Sequence, residues 1–338
     1  MIDFRSDTVT RPSQAMLNVM NTAPVGDDVY GDDPSVNNLE KWAASHHGFE
    51  SAIFCSSGTQ ANLLALMAHC QRGDEYLCGQ QAHNYKFEGG GAAVLGSIQP
   101  QPIENEKDGS LSFSKLEAAI KPIDPHFART TLLSLENTIN GKILPLSYLK
   151  QAREFVDQQG LKLHLDGARV YNAAVALQVD IKAISEYFDS MTICLSKGLG
   201  APVGSVLLGS NSLINSARRW RKVLGGGMRQ AGSLAAAGQY ALTHNVQRLA
   251  DDHANARYLA EQLSAIPGFH VDPTFVQTNM LFAKVDKKIN LEHLSSLLKE
   301  QDILISPSQP LRLVTHLDIS RDDIETFLTA LKTNIERL

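Results

Sequence analysis

Between residues 129 and 197 the chain alternates three strand-like runs with two helical ones, an order that few folds accept. "RTTLLSLEN" (129–137) is a short apolar run. It is followed by "LSYLKQAREFVDQQG", in which Leu149, Ala152, Phe155 and Val156 recur at helical spacing, Ser147 is placed to cap and Gly160 to stop. "LKLHLDG" then alternates at period two, a second helix is expected around Ile181 to Phe188, and "SMTICLSKG" closes the series. Strand, helix, strand, helix, strand predicts a parallel sheet with crossover helices. Upstream, "SAIFCSS" and "GTQANLLALMAHCQRG" repeat the theme, with Leu63, Leu64, Met67 and Ala68 on one apolar face and Gly73 marking the end. From about residue 232 the texture changes to long helical stretches, Leu234 to Leu263 being the longest. "NMLFAKVD", a short helix from Leu291, "DILISP", "LRLVTHLD" and a final helix follow. The expectation is an α/β domain over residues 1–235, N-terminal segment included, and a smaller α+β domain over 236–338.

Composition narrows the function classes. A chain of 338 residues can bury a full core without disulfides. Net charge is -5, and the one basic cluster, "ARRWRK" at 217–222, is too short to make nucleic acid an expected partner. No basic start leads into an apolar stretch and no window approaches a membrane span, so a cytoplasmic protein without membrane contact is expected. Cys55, Cys70, Cys78 and Cys194 lack metal-ligand spacing; they are expected as inert reduced thiols, and no metal site is expected.

In an open parallel sheet, ligands collect at the carboxyl ends of the strands. Asp166 ends "LKLHLD" and Lys197 follows "MTICLS", two charges in places where charge is uncommon. A lysine in a crowded, partly desolvated setting is a nucleophile toward carbonyls, and its neighbours Ser196, Gly198, Gly200 and Ala201 leave room for a flat ring. A fixed carboxylate nearby would keep a ring nitrogen protonated. The third element is "SSGTQAN" (56–62), where Ser57, Gly58 and Thr59 open a helix with free backbone N–H groups and the positive end of its dipole, a setting that suits phosphate. Each feature alone reads as a solvated turn, a cap or an N-terminus. Together they describe pyridoxal 5'-phosphate, whose aldehyde needs an amine, whose pyridine nitrogen needs an acid and whose phosphate needs a cradle. The glycines of "GLGAPVG" are wrongly spaced for a dinucleotide fingerprint, and no Walker A loop is present.

With these residues assembled, the chain resembles the pyridoxal-phosphate enzymes of the aspartate-aminotransferase fold class (fold type I), and among them the low-specificity L-threonine aldolases. The resemblance runs nearly end to end through "FRSDTVTRP" (4–12), "GDDVYGDDPSVNNLE" (26–40), "SSGTQAN", "AHNYKFEGGG" (82–91), "LSLENTINGKILP" (133–145), "LHLDGARV" (163–170), "LSKGLGAPVGS" (195–205), "RKVLGGGMRQAG" (221–232) and "LRLVTHLD" (311–318). It implies that Lys197 joins the coenzyme covalently, that Asp166 partners the pyridine nitrogen, that Ser57, Gly58 and Thr59 hold the phosphate and that His83 lies over the ring. Arg169 and Arg312 would stand near the ring and the substrate carboxylate, with Ser6 assisting. His126 would sit near the substrate hydroxyl. Tyr30 and Lys222 would reach a neighbouring subunit's site, in a homotetramer built from dimers with shared sites. The implied activity is aldol cleavage of L-threonine, L-allo-threonine and related β-hydroxy-α-amino acids to glycine and an aldehyde. A β-eliminating lyase or an aminotransferase on the same scaffold is the alternative. His164, two residues before Asp166 on the same strand face, is expected as a packing histidine.

Overall fold

The computed structural model of the chain describes residues 1–335. A short strand, β1 (Ile2–Asp3), precedes the seven strands of the main sheet. These are β2 (Ser51–Cys55), β3 (Asp74–Gly79), β4 (Gln99–Ile103), β5 (Arg129–Glu136), β6 (Lys162–Gly167), β7 (Ser190–Cys194) and β8 (Ser205–Gly209). In space they run β2-β8-β7-β6-β5-β3-β4. Only β8 is antiparallel to its neighbours; the pairs from β7 to β4 are parallel, as the alternation required.

Both faces of the central strands are covered, and β3, β7 and β8 are buried along their whole length. Leu133, Leu135, Leu163, Leu165, Met191 and Ile193 pack into the larger core with the helices Pro34–His47, Leu146–Gln159 and Gly232–His244. On the other face lie the helices Gly58–His69 and Asn211–Val223. There polar residues of β5 to β7 face inward as well: Ser134, His164, Asp166, Ser190 and Thr192 are all buried. His164 is indeed an interior residue, its Nδ1 2.8 Å from Ser190 Oγ.

Several local expectations shift. The helix after β5 starts at Leu146 with Pro145 as its N-cap, so Ser147 lies inside the first turn and caps nothing. Between β6 and β7 the main helix is Val170–Leu177, and only the short turn Lys182–Ser185 falls in the stretch expected to be helical. The first crossover helix stops at His69, before Gly73. The stretch Leu234 to Leu263 is two helices, Gly232–His244 and Leu249–Ser264; at the break, Asn245 and Arg248 donate to the carbonyls of Leu199 and Gly198. Two of the four basic residues of the cluster are tied into the fold, Arg221 pairing with Asp28 in the interior and Arg218 with Glu40, while Arg219 and Lys222 stay exposed.

A second core gathers Phe4, Leu259, Leu263, Phe269, Leu281, Leu313 and Phe327. Its sheet is β9 (Phe269–His270), β10 (Met280–Val285) and β12 (Leu311–Val314), in the order β12-β10-β9. The N-terminus joins this module: β1 pairs in parallel with β11 (Ile303–Leu304). Residues 6–10 therefore run from the small core toward the carboxyl edge of the large sheet, where Asp7 meets Arg169.

Candidate active site

Residues at or just past the ends of β2, β3, β5, β6 and β7 assemble at that carboxyl edge. Past β2, Ser57 caps the helix Gly58–His69 through a bond from Gln60 N–H to its Oγ (3.1 Å). The amides of Gly58 and Thr59 donate to nothing among the described residues. No side chain fits at 58: an added Cβ would lie 2.6 Å from Cys194 Sγ. Ser205 Oγ, beside the same position, is buried and has no hydrogen-bond partner among the described residues. Gly226 serves the same helix, since a Cβ there would overlap the Gln60 amide. An anion-sized acceptor at this helix start would satisfy the free donors and the dipole together.

Lys197 lies beyond the end of β7, half-buried, with no hydrogen bond from its ammonium among the described residues. Its charge acts on Asp7, His83 and Glu136, so it stands between the N-terminal segment and the ends of β3 and β5. Asp166 is buried near the end of β6; Oδ1 accepts from Ala168 N–H (3.1 Å) and Oδ2 from Asn62 Nδ2 (2.8 Å). Its cross-strand partner is Glu136, whose carboxyl is pushed up to about 8 by burial and by the Asp166 charge, and whose Oε2 accepts from His83 N–H (2.8 Å).

His83 opens a short helix past β3, and its Nδ1 is 2.8 Å from Glu88 Oε1. That bond to Glu88 raises the imidazole pKa above its ordinary value against the opposing effect of burial. Glu88 is pulled upward by its own burial and back down by His83 and Asn62. The Nδ1 bond leaves Nε2 as the nitrogen available to a substrate, on a side chain that is 42% exposed.

Arg169 follows β6 and is locked in the interior. Its Nε and a terminal nitrogen donate to Asp7 Oδ2 (2.8 Å) and Oδ1 (2.6 Å), and Asn279 adds a bond of 3.2 Å to Oδ2. Arg312 on β12 is half-buried, and burial first, then the nearby Arg169 charge, lower its pKa. Two guanidiniums with one carboxylate between them leave a surplus positive charge here. Ser6, one residue before Asp7, accepts from Thr8 N–H (3.3 Å).

The fold thus brings together Lys197, Asp166, His83, Ser57, Gly58, Thr59, Arg169, Arg312 and Ser6. It does not bring His126, Tyr30 or Lys222 to them within one chain. His126 is exposed on the loop leading into β5, bound to Asp124, whereas the site lies at the far end of that eight-residue strand, roughly 26 Å away at strand rise. Tyr30 and Lys222 are exposed. Val29, next to Tyr30 in the chain, and Lys222 flank Gly227, where an added Cβ would lie 3.4 Å from the one and 3.6 Å from the other. Sequence reasoning missed Asp7, Asn62, Glu88 and Glu136. Glu136 could have been found by the carboxyl-end argument that picked out Asp166; the others meet their partners only through tertiary contact.

These residues fit pyridoxal phosphate on chemical grounds: a helix start with unpaired amides and an orphaned Ser205 hydroxyl for phosphate, a primary amine, and a buried fixed carboxylate for a pyridinium. The profile of the beta-eliminating lyase family matches residues 3–286. The chain is 59% identical to the low specificity L-threonine aldolase of Escherichia coli strain K12 over 96% of both chains. It is 44% identical to a probable low-specificity L-threonine aldolase 2 of Arabidopsis thaliana, over 97% of this chain and 95% of that one. Among solved structures, a Leishmania major threonine aldolase superposes with a TM-score of 0.84 at 21% identity, covering 99% of this chain and 100% of that one, which shows the shared fold. The architecture is that of fold type I, and with its sequence matched across both cores the chain belongs to the beta-eliminating lyase family and, within it, to the low-specificity L-threonine aldolases.

Proposed function

We propose that this protein cleaves L-threonine, L-allo-threonine and related β-hydroxy-α-amino acids reversibly to glycine and an aldehyde, acetaldehyde for threonine. The observation that carries the reading is the His83–Glu88 pair standing at the same sheet edge as Lys197 and Asp166. Pyridoxal phosphate, when bound, supplies an aldehyde for the amine and a ring that accepts the electron pair left on Cα when a bond to it breaks.

The chain's own residues choose which bond that is. Ser57, Gly58 and Thr59 would anchor the phosphate, and Asp166 would hold the proton on the pyridine nitrogen. Lys197 would make the covalent link and yield it to the substrate amine. The surplus charge of Arg312 and Arg169, with Ser6, would hold the substrate carboxylate, turning the Cα–Cβ bond toward the ring face. His83 Nε2 would then take the β-hydroxyl proton as Cα–Cβ breaks and the carbonyl of the aldehyde forms; a proton returned to Cα, with Lys197 retaking the link it had yielded, would release glycine. Glu88 supports this step by holding Nδ1–H, so that the charge formed on the ring is stabilised.

A tetramer of dimers with shared sites accommodates the remaining residues. Tyr30, Lys222 and His126 would serve a neighbouring copy's site, His126 through a water shared with that copy's His83. The reading extends to a reaction in the cytoplasm. Among the described residues no helix is long and apolar enough to cross a membrane. The family's name favours one second reading, β-elimination. Incubation with L-threonine and L-allo-threonine should release glycine and acetaldehyde in equal amounts. Pyruvate and ammonia from β-substituted amino acids, without acetaldehyde from either threonine, would replace the proposal with that second reading.

A further inference from the structure

We propose that Asn62 is a positioning residue for this reaction: its one side-chain amide ties Asp166 to the Glu88–His83 pair and fixes the spacing between the two. The inference rests on the reading of His83 and Asp166 given above.

Asn62 sits one turn into the helix whose start forms the phosphate cradle, and it is 2% exposed. Its amide nitrogen has two hydrogens, and both are committed: one to Asp166 Oδ2 at 2.8 Å, the other to Glu88 Oε1 at 2.9 Å. Its Oδ1 accepts from Thr192 Oγ1 at 2.9 Å, and that hydroxyl oxygen in turn accepts from Gly167 N–H at 3.3 Å. The chain of donors has one consistent direction. Gly167 N–H can only donate and the two carboxylates can only accept, so Thr192 must present its hydrogen to Asn62 Oδ1, which turns the amide hydrogens toward the acids. A mid-helix asparagine is a poor helix former. Its three bonds here all go to groups on other elements.

His83, Glu88 and Asp166 place a nitrogen and two oxygens within 4.8 Å of one another, a spacing that could suit a metal ion. The hydrogen bonds answer that possibility. Oε1 and Oδ2 each accept an Asn62 hydrogen, and Nδ1 is spent on Glu88, so the amide does the work an ion would do. The consequence is geometric. Asp166 belongs to β6 and His83 to the segment after β3, with β5 between them, and no backbone hydrogen bond links the two directly. A single rigid helix sets the phosphate anchor at its first turn and, through Asn62, the separation of the ring-nitrogen acid from the imidazole.

The groups facing this amide are His83, Glu88, Asp166 and Glu136, with the Lys197 charge close by. N62D keeps the shape and replaces two donated hydrogens by a fourth carboxylate, which should raise the His83 pKa by about 0.5 to 1 unit. That shift is read in the coenzyme-free protein from the ring C–H signals of isotope-labelled histidine, with H83N identifying the resonance. In the loaded enzyme, N62L should lower kcat about 10- to 100-fold, the usual range for a group that orients a reacting side chain, while KM for threonine stays within about threefold. T192V removes only the hydroxyl that orients the amide, and should lower kcat less, with T192S restoring it. Circular dichroism and gel filtration check each fold, and T192V with T192S decides if N62L does not fold. A His83 titration in N62D unchanged within about 0.2 unit, or N62L and T192V both retaining kcat within about twofold, overturns the proposal. If H83N turns over like the parent, the reading of His83 as base fails, while the histidine titration of N62D still decides whether Asn62 couples the two groups.

Discussion

Asp7→Asn removes the negative half of the most enclosed ion pair at the site. Asp7 is 0% exposed and the Arg169 side chain 12%, and two bonds of 2.6 and 2.8 Å join them. Asparagine has the right shape but keeps one acceptor and turns an amide N–H against a guanidinium N–H, leaving the Arg169 charge buried without compensation. Breaking a buried pair this way costs about 3–5 kcal/mol. For 338 residues the unfolding entropy is on the order of 0.7 kcal/mol per kelvin, so the midpoint of thermal unfolding should fall by about 4–7 °C. The assay is differential scanning calorimetry of the coenzyme-free protein at fixed concentration near neutral pH. Arg169→Met should be as damaging, and the double variant Asp7→Leu with Arg169→Met less damaging than either single one, because an apolar pair carries no stranded charge. The pH dependence has a definite sign. Arg169 holds the Asp7 pKa well below the usual carboxylate value, so its contribution is complete above the unfolded value of about 4 and is lost only as pH falls through the lower folded value. The gap between parent and variant should therefore be flat from pH 5 to 9. A midpoint shift below about 1 °C, or a double variant worse than both singles, would refute the reasoning.

His83→Asn should lower kcat by about 10² to 10⁴ while coenzyme binding, followed by absorbance, stays intact; an undiminished rate would take His83 out of the mechanism. Because the bond to Glu88 is the chief cause of the raised His83 pKa, Glu88→Gln should move the acidic limb of kcat/KM to lower pH, and a limb that stays in place would detach Glu88 from this role. Gly58→Ala forces a methyl against Cys194 Sγ and should weaken coenzyme affinity by about 5- to 150-fold, from an overpacking cost of about 1–3 kcal/mol. Adding Cys194→Ala should recover most of that loss in a coenzyme titration, and no recovery would mean that the contact is not the cause.

Period and punctuation carried the parallel half of the sheet: β5, β6 and β7 lie where their apolar runs predict them, with a helix in each crossover. The antiparallel β8 escaped, since the strand-helix alternation speaks only of parallel neighbours and β8 returns from β7 through a loop. The break between the helices Gly232–His244 and Leu249–Ser264 escaped as well: no proline or glycine marks it, and the cause is tertiary, Asn245 and Arg248 reaching the carbonyls after Lys197. At the site, Lys197, Asp166 and the Ser57–Thr59 turn were legible because each sits where a strand ends. Asp7 was not, because its partner lies 162 positions away in sequence and nothing local marks an ion pair. Asn62 was hidden by its helix, where an asparagine among leucines reads as a tolerated polar residue until its bonds to Asp166 and Glu88 are seen.

The central claim is that Lys197 carries the coenzyme between the cradle at Gly58 and the acid at Asp166. Borohydride reduction of the coenzyme-loaded protein, followed by peptide mass mapping, tests it directly. A phosphopyridoxyl group on the peptide containing Lys197, and its disappearance in Lys197→Ala, is the expected result. A label on another lysine, or none on a protein that still releases acetaldehyde from threonine, would contradict it.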